Sequence, residues 1–241
     1  MKNKLIPLVL TLGAALSGTG LAFDAVVENF NGTSLNGFRW FTYQPTKGRL
    51  FPENGKLNFV VKGTPTIDDF ASIELLTVNP GTSENWEMTV KFSNTEKISK
   101  QAGCGFMIFN TQNRRDYFFT NFFSSYGVSS GFFTDLNYTP AEPMSLASVE
   151  PIGAVRVSYD SATGLMTFSA YRKNSSGGFK WNVMGTFAPF GAPGGDVSTN
   201  WTTFQSAEPG PFGIQLFGSA VSSKVATGKV TIDSFNLKPL H

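Results

Sequence analysis

One cysteine and one histidine are all that this chain of 241 residues holds of either type. With a single thiol, Cys104, no intrachain disulfide can close and no cysteine-based metal site can be built. Cys104 stands between Gly103 and Gly105, ahead of Phe106. No His or basic neighbour is there to lower its pKa, so it reads as a buried strand residue, not a reactive thiol. The histidine, His241, is the final residue, where order is weakest. That sets aside a Ser-His-Asp triad, a Cys-His pair and a histidine zinc site. Charge is scarce too: 15% of residues are charged, against about a quarter in an ordinary globular chain.

Residues 1–22 read as an export signal. Lys2 and Lys4 supply a basic start, Leu5–Leu16 a short apolar core, and Gly20-Leu21-Ala22 the small residues of a cleavage site. The run is too short, and too broken by Gly and Ser, to anchor in a membrane. No later stretch approaches the length of a membrane span. Cleavage near Ala22 would leave one domain over residues 23–241, periplasmic or extracellular. Without Lys2 and Lys4 the 19 basic residues become 17, equal to the 17 acidic ones. A nucleic-acid binder needs a basic surplus to displace counterions, so that class is set aside. The bulk composition leaves the oligomeric state open.

What the chain does have is phenylalanine, 24 residues of it. Gly103–Asn110 reads G-C-G-F-M-I-F-N, and Asp116–Tyr138 carries the doublets Phe118–Phe119, Phe122–Phe123 and Phe132–Phe133. Successive strand residues point to opposite faces, so such doublets place rings on both sides of a sheet. Trp86–Phe92 alternates without fault, with Trp86, Met88, Val90 and Phe92 on one face. Lys56–Lys62 follows an Asn54-Gly55 turn signal, and Ala71–Val78 is a further strand with Glu74 away from its core side. Ala154–Tyr159, Leu165–Arg172 and Phe179–Phe187 form a meander, and Pro211–Gly218 and Gly228–Leu237 close the chain. Pro140–Pro151, with three prolines, cannot lie inside a sheet. Val230 and Ile232 are out of phase with Phe235 and Leu237, which predicts a β-bulge near Asp233–Ser234. About a dozen short strands, with no sustained helical period, predict an all-β fold of two packed antiparallel sheets.

The order E-N-F-N-G-T-S-L-N-G-F-R-W, then N-G-K-L-N-F-V-V, W-E-M-T-V-K-F, C-G-F-M-I-F-N, the meander and the ending F-G-I-Q-L-F-G…V-T-I-D-S-F-N-L resembles secreted concanavalin A-like (laminin G-like) jelly rolls over residues 25–238. The resemblance implies a single-domain β-sandwich; the fold serves lectins, glycosidases, lyases and adhesive modules alike. Its glycosidases carry E-x-D-x-E or E-x-D-x-x-E on one strand, and this chain has neither. Asp69 and Glu74 are five apart, which points them to opposite faces. Its lyases use Tyr, His, Arg and Gln together; here Tyr117 with Arg114 or Arg115 could supply a part, without the His. Some members hold calcium between acids of the first and last strands, places that Glu28 and Asp233 occupy, although two carboxylates fall far short of a calcium shell.

With catalytic signatures missing, the expectation is a bacterial, exported, non-catalytic module that binds a polysaccharide or other glycan on a concave, aromatic-lined face, without a cofactor. Candidate ligand-binding residues are Glu74, Arg115, Asp116, Tyr117, Tyr126 and Tyr138, because sugars are held by aromatic faces and a few fixed polar groups. The alternatives are an adhesive envelope protein with protein partners and a hydrolase or lyase with an unrecognised site. Asn200-Trp201-Thr202 could present one further indole.

Overall fold

Alternation of apolar and polar residues, punctuated by Gly and Asn turns, yields fifteen strands among the described residues, in two antiparallel sheets, in a computed structural model. It describes residues 23–45, 47–61, 69–93, 102–123, 127–134, 137–140, 152–173, 176–190, 208–220 and 230–241. The strands are β1 (Val26–Glu28), β2 (Trp40–Tyr43), β3 (Gly48–Glu53), β4 (Lys56–Val61), β5 (Asp69–Leu75), β6 (Trp86–Ser93), β7 (Ala102–Asn110) and β8 (Asn113–Phe123). They continue with β9 (Gly127–Thr134), β10 (Asn137–Pro140), β11 (Ile152–Asp160), β12 (Leu165–Lys173), β13 (Phe179–Phe187), β14 (Phe212–Ala220) and β15 (Val230–Pro239). The eight-stranded sheet runs β13-β12-β11-β6-β15-β4-β3, with β1 also on β15; the seven-stranded sheet runs β10-β9-β8-β7-β14-β5-β2.

Two meanders, β7 to β10 and β11 to β13, build opposite sheets from local pairings. The two closing strands are the non-local element. β14 is wedged between β5 and β7, and β15 between β4 and β6. Each sheet therefore stays open at its middle until the last strands arrive. The expected bulge is present, as a register shift between Ile232 and Ser234 where β15 pairs with β6. It returns Phe235 and Leu237 to the side on which Ile232 is buried. Asn54 and Gly55 both sit at positive φ, 56° and 70°, as a two-residue hairpin turn of the right twist requires.

Pro140, expected outside any sheet, ends a strand, and Pro52 shares that setting. Pro52 lies in β3 and Pro140 ends β10, both edge strands of their sheets. An edge strand leaves a backbone position unpaired, so proline is tolerated there. The expected loop thus begins after Pro140, and residues 141–151 lie outside the described residues. The same holds for residues 1–22, for Asn200-Trp201-Thr202 and for Tyr126.

The core is a set of ring contacts between the sheets. Trp40 meets Phe235 at 5.5 Å, Phe212 meets Trp86 at 5.5 Å and Tyr159 at 5.0 Å, and Phe118 meets Phe187 at 5.0 Å and Phe168 at 6.0 Å. Each contact joins a strand of one sheet to a strand of the other. Fully burying side chains of this size stabilises by roughly 1.5–3 kcal/mol apiece. Cys104 is buried in the same layer, its thiol within 3.7 Å of the Thr231 carbonyl. Burial and then the nearby Asp233 push its pKa well up, so it stays a protonated, inert thiol.

Phe59 of β4 crosses to the other sheet and lies directly on Gly218 of β14. A Cβ built on Gly218 would stand 2.1 Å from Phe59 Cγ. Gly218→Ala must therefore displace a ring from a close-packed interior, and a loss of about 1–3 kcal/mol is expected. Chemical denaturation checks this; an unchanged midpoint would show that the ring has room to move.

Candidate functional site

Along β14, Phe212, Ile214, Leu216 and Ala220 point into the sandwich, which sends Gln215 outward. Gln215 faces Glu74 on β5 and Met107 on β7; Glu74 in turn faces Phe41 on β2, and Met107 faces Phe119 on β8. One row of outward side chains thus crosses five strands of the seven-stranded sheet. At its centre Gln215 Nε2 donates to Glu74 Oε2 at 3.0 Å.

The second donor to Glu74 comes from farther away. Phe109 pairs with Tyr117 and Asn110 with Asn113, so Arg114, Arg115 and Asp116 form a bulge in β8. Arg114 leaves the ladder, lies over the Phe109 ring at 4.4 Å and reaches Glu74. Its Nη1 donates to Oε1 at 3.0 Å and its Nη2 to Oε2. Phe109 rests on bare backbone, since a Cβ on Gly213 would be 2.1 Å from the ring. Beneath the bulge, buried Asn110 ties the β7–β8 turn to the chain entering β14. Its Nδ2 donates to Glu208 O at 3.2 Å, and its Oδ1 accepts from Gly210 N and Gln112 N, each at 3.1 Å. The bulge is thereby held on the same strand that carries Gln215.

Aromatic rings border this cluster. Phe41 and Tyr43, on the edge strand, are 54% and 52% exposed. Phe70 and Phe217 stack at 5.7 Å, and Tyr117 and Phe119 lie 6.4 Å apart on the far side. The eight-stranded sheet has its own outward rings, Tyr171, Phe179 and Trp181, but there the Arg156 guanidinium lies over Trp181 at 4.3 Å and its other partner is Glu87, 3.5 Å away. That cluster is closed on itself.

No family model matches the sequence, and no curated protein does either. Solved structures do match in three dimensions. Lectin II from Ulex europaeus aligns over 92% of this chain and 100% of its own, with a TM-score of 0.54 at 9% identity. Peanut lectin aligns over 90% and 98%, with a TM-score of 0.51 at 11% identity. A structure from work on endo-acting O-glycanases of the human gut microbiota aligns over 90% and 99%, with a TM-score of 0.55 at 9% identity. The fold is the concanavalin A-like jelly roll. At such identities the likeness carries the fold and nothing finer.

Within this jelly roll the predicted site residues separate. Glu74 and Tyr117 share the outward face of the seven-stranded sheet. Arg115 is exposed on the bulge, its backbone N–H donating to Asn113 Oδ1 at 3.2 Å. Asp116 is fully buried and accepts from Asn113 Nδ2 at 3.1 Å; it shapes the bulge and does not join Glu74. Tyr126, and the side chain of Tyr138, lie outside the described residues. Asp69 and Glu74 do point to opposite faces, Asp69 inward and fully buried. Gln215, Phe41 and Tyr43 were not among the candidates. Gln215 had a signal, being the lone polar residue in F-G-I-Q-L-F-G. Arg114 entered only as a possible partner of Tyr117 in a lyase, and its spacing did not link it to Glu74, because the two are 40 residues apart.

The acids considered for calcium are engaged by donors instead. Glu28 Oε1 accepts from Phe30 N at 3.1 Å, and Oε2 accepts from Arg39 at 3.3 Å and Trp40 Nε1 at 3.2 Å. Asp233 pairs with Lys56 at 3.2 Å. These surroundings do not fit a cation.

Burial pushes the pKa of Glu74 upward, but hydrogen bonds from Arg114 and Gln215 and the guanidinium charge outweigh it, leaving the group below its ordinary 4.5. Folding therefore favours the carboxylate. The stability it adds is complete above pH 4.5 and is lost as pH falls below that value through the folded-state pKa. In Arg114→Gln, Glu74 is expected to titrate at higher pH than in the wild type, read by carboxyl carbon NMR. An unmoved titration would contradict this account of the pair.

Proposed function

We propose that this protein is an exported, non-catalytic module that binds carbohydrate or a surface polymer across the outward face of its seven-stranded sheet. One observation carries the reading: exposed rings at the sheet edge adjoin a fixed cluster of hydrogen-bonding groups, Glu74, Gln215 and Arg114. Sugar rings offer apolar C–H faces for stacking and hydroxyls for fixed donors and acceptors, and this face presents both. The lectins of like fold, one of them in complex with galactose, add support at the level of fold. Residues 1–22 support export.

Retaining hydrolysis needs two carboxyl groups about 5–5.5 Å apart. Among the described residues this face carries one, Glu74, already held by Arg114 and Gln215. A lyase would need an activated base, and Tyr117 is the phenol at hand. Burial raises its pKa, the opposite of activation. Both points favour binding over turnover.

Affinity gels cast with a panel of polysaccharides test the proposal. Retention by at least one polymer is expected, weakened about tenfold in Phe41→Ala or Tyr43→Ala, which remove a stacking surface. A panel that gives no retention rejects the reading. Release of oligosaccharides that disappears in Glu74→Gln would replace it with an enzymatic one.

A further inference from the structure

The glycan reading leaves the class of sugar open, and the geometry of Arg114 narrows it. A guanidinium carries five N–H donors in a rigid plane. Glu74 takes the end of that plane, one hydrogen bond from each terminal nitrogen. The remaining edge, Nε–H together with the outer hydrogen of Nη2, is a second parallel fork. Among the described residues no other acceptor is bonded to Arg114.

The arrangement is also rigid and presented. Phe109 supports the plane from one side at 4.4 Å and Glu74 holds its end. Yet the Arg114 side chain is 57% exposed, whereas that of Glu74 is 17% exposed. The pair is therefore lopsided, with the anion recessed and the cation outermost. Arg115 adds a second exposed cation on the same bulge. Among the described residues Glu74 is the acid that Arg114 meets on this face, and it lies deeper than the guanidinium.

We infer that the site recognises glycans bearing carboxylates, uronic acid residues, whose carboxyl group takes the free fork of Arg114 while the sugar ring lies toward the bordering aromatics. Neutral sugars would use the same rings but leave the fork to water. Charge-assisted bidentate pairs are about twice as strong as neutral hydrogen bonds and are geometrically selective. This inference rests on the seven-stranded face being the glycan site.

The test uses the full chain and matched polymers: polygalacturonate, alginate and hyaluronate, each beside its carboxyl-reduced counterpart, with dextran and dextran sulfate as a further pair. Binding is measured by titration calorimetry at low salt. At least one uronate is expected to bind tenfold or more tightly than its reduced form. Arg114→Lys keeps the charge but has no fork, and should lose most of that preference, its affinity for the uronate falling toward its own affinity for the reduced polymer. Thermal melting of each variant verifies that it is folded.

Equal binding of acidic and reduced polymers overturns the inference and leaves the glycan reading standing. Binding of dextran sulfate in preference to every uronate overturns it as well, in favour of sulfate esters. An Arg114→Lys variant that keeps the full preference would reduce the site to a point charge. Absence of binding to any polymer removes the glycan reading itself, and this inference with it.

Discussion

Phe212 touches Trp86 and Tyr159 of the opposite sheet, and six residues later in the same strand Gly218 lies under Phe59. Between them Ile214 and Leu216 are fully buried. β14 is thus held to the other layer along its whole length, and this single strand carries the arrangement of the face behind it. An extended chain whose even-numbered residues are fixed inward has no freedom in where its odd-numbered ones go. Gln215 points out between Glu74 and Met107 because its neighbours cannot leave the core. Slipping the register of β14 by one residue would bury an amide and expose isoleucine and leucine, at a cost of several kcal/mol.

The same strand explains why a site exists on this face. Gly213 carries no side chain, and the ring of Phe109 fills the space a Cβ would need. That ring is the floor on which Arg114 rests. Core packing on one side of β14 and a missing side chain on the other therefore set the position of a guanidinium that belongs to a different hairpin. Asn110 completes the linkage by bonding the β7–β8 turn to residues 208–210, just ahead of β14. Few of these groups are individually costly to lose. Their value lies in holding donors in place before any ligand arrives, which spares part of the ordering cost of binding.

The charges on the face follow from burial as much as from proximity. Glu74 is recessed enough that its ionised form would be disfavoured alone, and two donors reverse that. Removing either partner would leave the other poorly satisfied. An arginine bound to a single acid at its end, over an aromatic ring and with more than half of its side chain exposed, is a presented group. By contrast, Arg156 on the other sheet lies over Trp181 beside Glu87, and Lys238 adds a further contact to Glu87 at 3.3 Å. There the cations and the acid satisfy one another.

Period-two patterning determined the layers of this protein. Trp86, Met88, Val90 and Phe92 declared an inward face, the phase break near Asp233 declared a bulge, and an odd spacing separated Asp69 from Glu74. All of these are local properties of an extended chain, and local sterics suffice to settle them. Pro140 was legible as a breaker, but whether a proline strand lies at an edge depends on which strands flank it. The site was legible only in Glu74 and Tyr117. That Asp116 turns inward while Arg114 swings out follows from a three-residue bulge, whose position depends on pairing with β7. That Arg114 finds Glu74 depends on β14 and β5 lying in sequence-distant order beside it. Side-chain direction is written into each strand, whereas the meeting of side chains from four strands is decided only when the last strands close the sheets.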